Sequence, residues 1–189
     1  MVKLSGGNNV AICPMPVTLV GSIVNGHPNF MAVGWIARVN MSPPLVSLGL
    51  NHGSATRSAI LENKEFSINF PSSKMVRETD YCGLTSGKKI DKSNIFTVFY
   101  GNSHQAPMIS ECPLSLECTL IESHDYASHT CIIGEIIGSY IDESCLTDGK
   151  PDQIKIDPLL LTMPDNTYWR IGEKVGKAWH EGKSLIDKD

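Results

Sequence analysis

The chain alternates between short β-rich runs and turn residues for most of its length. Val17 to Val24 is β-branched and apolar and runs into Asn25-Gly26, the dipeptide that best fits a two-residue hairpin turn. Asn29 to Val39 then reads as the returning strand. Ser42-Pro43-Pro44 breaks the chain, Leu45 to Leu50 makes a third strand, and Glu65 to Phe70 makes a fourth that Pro71 closes. Between these two, Ser54 to Asn63 has helical composition, with Ser54 as N-cap and Ala55, Ala59 and Glu62 at helical spacing. A second helix is predicted from Ser73 to about Tyr81. Leu114 to Ile121 sets Leu114, Leu116, Cys118 and Leu120 against Ser115, Glu117 and Thr119, which predicts a half-buried strand. His129 to Ile141 is another long strand, so 114–141 is expected to form one large hairpin. A short strand follows at Tyr168 to Gly172, then a polar tail with a weak helical pattern. Many antiparallel strands with two or three helices point to a closed or partly closed barrel, because closure removes exposed edges. No repeat, low-complexity tract or linker divides residues 1–189, so one domain is expected.

The chain is 41% hydrophobic and 19% charged, which fits neither a disordered polyelectrolyte nor a membrane protein. A net charge of -4 gives no global basic field for a phosphate backbone, so nucleic-acid binding is not expected. The charge is unevenly placed. Met1 to Leu61 holds no Asp or Glu and only Lys3, Arg38 and Arg57 as cations. Strands covered on both faces explain this, and so does a wall around a bound anion; the two readings are compatible. No run reaches the roughly 18 apolar residues of a membrane span. The apolar stretch from Val10 is interrupted by Pro14 and Pro16, unlike the core of a secretion signal. Six cysteines in that context predict a reduced, cytoplasmic protein with mostly buried thiols.

Three segments are candidates for chemistry. In Asn51-His52-Gly53-Ser54-Ala55-Thr56-Arg57 a strand ends and a helix begins. Free amides, the helix dipole, two hydroxyls and a guanidinium could hold a phosphate there, although an ordinary capped helix looks the same. Tyr81 to Lys89 is a glycine-bearing loop with Ser86, Gly87 and Lys88, too short for a Walker loop, and a plain surface loop accounts for it equally. No Gly-x-Gly-x-x-Gly follows any strand. The third is the set Cys112, Cys118, His124, His129 and Cys131. It lacks the short paired spacing of structural zinc, so core thiols and turn histidines are the preferred reading and a zinc or thiol-redox protein the alternative.

Taken in order, Pro16-Val17-x-Leu19-Val20-Gly21, Gly26-x-Pro28-Asn29-x-Met31-Ala32-Val33-x-Trp35, Ser42-Pro43-Pro44, Asp80-Tyr81-Cys82-Gly83, Ser86-Gly87-Lys88 and Asp91-Lys92 resemble the flavin reductase-like split barrels. Leu116-Glu117-Cys118, His124-Asp125, His129-Thr130, Gly134-Glu135-Ile136, Tyr168-x-Arg170-x-Gly172-Glu173 and Gly176-Lys177-Ala178 are similar to the flavoredoxin branch of that family. The resemblance implies a mainly β fold, a six-stranded antiparallel split barrel with flanking helices. It further implies a homodimer holding FMN non-covalently, with NAD(P)H or a redox protein as electron donor. Carried onto this chain, Asn29, Met31, Ala32, Val33 and Trp35 would lie by the flavin ring. Ser47, Leu48, Gly49, Leu50 and Asn51 would follow the ring and ribityl chain. Ser54, Thr56 and Arg57 would hold the phosphate, and the loop with Cys82, Gly83, Ser86, Gly87 and Lys88 would close over the cofactor. Two functions fit: an NAD(P)H-dependent flavin reductase, or an electron carrier reduced by another protein. No side chain is expected to be an obligatory acid or base, and a redox role for Cys82 stays open.

Overall fold

The computed structural model describes residues 1–7 and 12–186; residues 8–11 and 187–189, including the Val10 that opens the apolar stretch, lie outside the described residues. The principal sheet has seven strands: β1 (Thr18–Val24), β2 (His27–Val33), β3 (Ile36–Asn40), β4 (Leu45–Asn51), β5 (Glu65–Phe70), β6 (Leu114–Asp125) and β7 (His129–Ile141). Their order is β2-β1-β5-β6-β7-β4-β3, and every neighbouring pair is antiparallel. The edges β2 and β3 are joined by Gly34 and Trp35 alone. Three residue steps reach no more than roughly 11 Å, so the sheet has to curl until its two edges meet. They are not paired to each other, which leaves the barrel split. The expected six strands become seven because the run from Asn29 to Val39 leaves one edge at Val33 and joins the other at Ile36.

Asn25 and Gly26 both take positive φ, 51° and 80°, as the tight turn between β1 and β2 requires. The long β6–β7 hairpin shifts register at Ile133/Gly134 and Ile136/Gly138, bulges that bend it round the barrel. At Gly134 the Phe66 ring occupies the place a Cβ would take.

Inside the barrel, Val20, Val33, Leu48, Leu50, Phe66, Ile68, Cys118 and Ile132 pack with Ile60 of helix α1 (Ala55–Asn63). A second core lies outside the wall, where Leu19 and Phe30 meet Met75, Phe96, Ile109 and Cys82 of helix α2 (Val76–Leu84). The β1 and β2 wall is thus covered on both faces, which accounts for much of the charge-free first third. The same excursion corrects the reading of β6 as half-buried. Ser115 and Glu117, on its polar face, are fully enclosed. Ser115 donates to Asn69 Oδ1 at 2.7 Å, and Glu117 accepts from Tyr140 at 3.0 Å and from the Ser103 amide. The predicted second helix starts with a 3-10 turn at Ser73–Met75, and the late strand is Thr167–Trp169, paired to Leu160–Thr162. Among the described residues no helix is long and apolar enough to cross a membrane.

Candidate functional site

Strand β4 ends at Asn51, whose Oδ1 accepts from the Gly53 amide at 2.8 Å and turns the chain into α1. Ser54 caps that helix, its Oγ accepting from the Arg57 amide at 2.9 Å. Opposite stands the end of α2 and the loop that follows it. Between them is a cavity of about 240 Å³, lined by Met31, Ala32, Asn51, Ser54, Ala55, Thr56, Cys82, Gly83, Leu84, Thr85, Ser86, Gly87 and Lys92. The strand-to-helix turn and the glycine loop, far apart in sequence, are therefore two walls of one opening.

Two features of this opening call for a ligand with hydrogen-bond donors. Asn29 is 4% exposed; its Nδ2 donates to Thr56 Oγ1 at 2.9 Å, but its Oδ1 has no partner. A buried acceptor without a donor carries a desolvation cost that a bound group would relieve. Gly87 lies directly on that oxygen, where any Cβ would collide with it. Lys92 holds the loop in place. Its side chain is buried, and its ammonium donates to the carbonyls of Phe30 (3.0 Å), Cys82 (3.1 Å) and Thr85 (2.7 Å). Burial pushes its pKa down, while the carbonyls at the end of α2 and the helix dipole favour the cation.

The other expected site residues divide into three groups. Val33, Leu48 and Leu50 send their side chains into the barrel core. Trp35, Ser47, Leu48 and Gly49 line a separate apolar groove of about 600 Å³, in which the Trp35 ring lies 4.6 Å from that of His129. Arg57 and Lys88 are not brought to the cavity. The Arg57 guanidinium donates to Thr130 Oγ1 at 2.7 Å and Asp125 Oδ1 at 3.0 Å, and the hydrogen bonds from Thr130 and Arg57 hold the Asp125 carboxyl below its ordinary range. Lys88 faces an adjoining polar recess with His27 and Lys89.

A family model for the flavin reductase like domain matches residues 10–162. The chain belongs to the flavin reductase-like family. Flavoredoxin from Methanosarcina acetivorans is 52% identical, over 98% of this chain and 100% of its own, with a TM-score of 0.95. Flavoredoxin of Desulfovibrio vulgaris (Miyazaki F) is 36% identical, over 96% of this chain and 100% of its own, with a TM-score of 0.90. An FMN-binding protein from Thermus thermophilus, 21% identical with a TM-score of 0.79 and covering 94% of this chain and 99% of its own, shares the fold.

Within this flavin reductase-like chain the thiols do not form a metal centre. Among the described residues no three His, Cys, Asp or Glu side chains gather as ligands. Cys118 faces the barrel core and Cys112 the outer one, while His124 and Cys131 sit opposite each other on the hairpin. Cys82 lines the cavity but is 1% exposed, and burial pushes its thiol up from 9.0 to about 11. It is therefore a poor thiolate nucleophile at neutral pH. At pH 7.5 a colourless-to-yellow thiol reagent should find one fast thiol per chain, the exposed Cys13, with Cys82, Cys112, Cys118 and Cys145 silent until unfolding. Because the folded pKa of Cys82 is raised, the stability it contributes is complete below pH 9.0 and is lost as pH rises through about 11. Cys82→Ser should remove that part of the alkaline fall in melting temperature; an unchanged alkaline limb would contradict the assignment. Lys92 is the residue that sequence reasoning passed over: it was visible only as the second half of Asp91-Lys92, and nothing local marks it as buried.

Proposed function

We propose that this chain is an FMN-binding oxidoreductase that passes electrons from NAD(P)H, or from a reduced redox protein, to an acceptor. The observation that carries the reading is the unpartnered, buried Asn29 Oδ1 beside a cavity whose far wall is a helix N-terminus. FMN brings hydroxyl and N–H donors for such an acceptor and a phosphate for such a helix end. The flavoredoxin and FMN-binding relatives support the choice of cofactor. When bound, FMN supplies the electron-accepting ring, taking up two electrons as a hydride and releasing them to the acceptor.

The chain's own residues bind and orient. Ser54, Thr56 and the first amides of α1 hold the phosphate, while Asn51 and Asn29 flank the sugar chain. Met31, Ala32, Gly83 and Gly87 give flat or small surfaces against the ring and exclude water. No lining side chain is placed as an obligatory acid or base, since Lys92 has its ammonium committed to three carbonyls. The working form is a homodimer.

Anaerobic addition of NADH or NADPH to the purified yellow protein tests the electron path. Bleaching within seconds is expected. A protein that stays yellow with both nucleotides, but bleaches with a low-potential protein donor, would make it a carrier instead, and a protein that takes up no flavin would overturn the reading.

A further inference from the structure

The last strand, Thr167–Trp169, pairs with Leu160–Thr162, which in turn pairs with Met15–Pro16. The chain is pinned there: Tyr168 donates to Asp80 at 3.0 Å, and Arg170 Nε donates to Asp157 Oδ1 at 2.8 Å. Beyond Arg170 it leaves the body. Among the described residues, 171–186 make no hydrogen bond or ion pair outside their own segment; their contacts are local, such as the Lys177 amide to Glu181 at 3.1 Å. Yet this arm carries Val175 at 100% exposure, Trp179 at 95%, and exposed Leu185 and Ile186. It also carries Gly176-Lys177-Ala178, part of the pattern by which the chain resembles the flavoredoxin branch, and that motif has no role inside its own chain.

The body offers the complement. The apolar groove of about 600 Å³ is lined by Met15, Trp35, Ile36, Leu48 and Met163, and it stays open because Gly49 has no side chain to press on the Trp35 ring. An exposed groove of this kind marks an interaction surface. Met15 lies in the same three-stranded sheet as the root of the arm, and Met163 directly follows it, so arm and groove share one side of the molecule.

We propose that the arm of one chain seats in the apolar groove of a second copy, with Trp179 as its anchor. Each chain has one arm and one groove, and the arm runs away from its own body. Two copies related by a two-fold axis satisfy both arms reciprocally, and the assembly closes at two. This gives structural content to the homodimer of the preceding reading, on which it rests, but it needs no flavin, so the two can fail separately.

The test uses the full chain with a benzophenone amino acid at position 179. Equal amounts of ordinary and ¹⁵N-labelled protein are mixed, irradiated and mapped by mass spectrometry. Cross-links to peptides holding Met15, Trp35 or Met163, in mixed-isotope pairs, are expected. Cross-links within one isotope only would place the arm on its own chain and overturn the proposal, as would their absence. In the same flavin-free buffer, Trp179→Asp should raise the dimer dissociation constant at least about tenfold, the usual scale for an anchoring tryptophan. An unchanged constant, or a wild-type monomer at micromolar concentration, would also overturn it. The melting curve of Trp179→Asp should match wild type after dimer dissociation, which separates a docking role from a folding one.

Discussion

Lys92→Met should lower the stability of the chain by about 3 kcal/mol and leave it with little affinity for flavin. Methionine fills a similar volume, but it strands three carbonyls that now accept from the ammonium, those of Phe30, Cys82 and Thr85. Each stranded buried acceptor costs about 1–3 kcal/mol. Part of that is offset because the variant no longer desolvates a cation, the same desolvation that pushes the Lys92 pKa down. The net figure therefore lies below the sum of three losses. The functional effect follows from what the three carbonyls belong to. One is on β2, and two are at the end of α2, so the ammonium is the pin that fastens the cavity's loop wall to its barrel wall. Urea unfolding followed by FMN titration of the folded variant reads both effects. An unchanged unfolding midpoint would show that the loop is held by something else.

FMN should bind about 10–100-fold more tightly than riboflavin. The ring and ribityl chain are common to both, so the difference isolates the phosphate. One charge-assisted hydrogen bond contributes about 1.5–3 kcal/mol, which is the stated ratio. The donors for it are the Thr56 hydroxyl and the amides of the first turn of α1, which have no intrahelical acceptor. Arg57 adds less than its position suggests, because its guanidinium is already shared between Thr130 and Asp125. The two walls divide the work: Lys92 fixes where the flavin can lie, and the start of α1 selects its phosphorylated form.

Local signals carried much of this. Asn25-Gly26 fixed the first hairpin, Ser54 marked the cap of α1, and the alternation from Leu114 onward together with the run from His129 gave the long hairpin. The family motifs then aligned the strand-to-helix turn with the glycine loop. What stayed hidden depends on contacts between distant segments. Gly34-Trp35 looks like the middle of one strand, and only the meeting of the two sheet edges turns it into a crossing. Ser115 and Glu117 alternate as solvent-facing residues do, and a separate excursion covers them. Arg57 reads as a free cation until Asp125, on the far hairpin, is folded against it.

The central claim is that the opening between α1 and the 82–87 loop is a site for FMN. The direct measurement is calorimetric titration of the flavin-free protein with FMN and with riboflavin, on the wild type and on Thr56→Val. The account predicts one FMN per chain, weaker riboflavin, and a Thr56→Val variant whose preference for FMN is reduced while its riboflavin affinity changes less. Equal affinities for the two flavins, or a preference for FMN untouched by Thr56→Val, would contradict it.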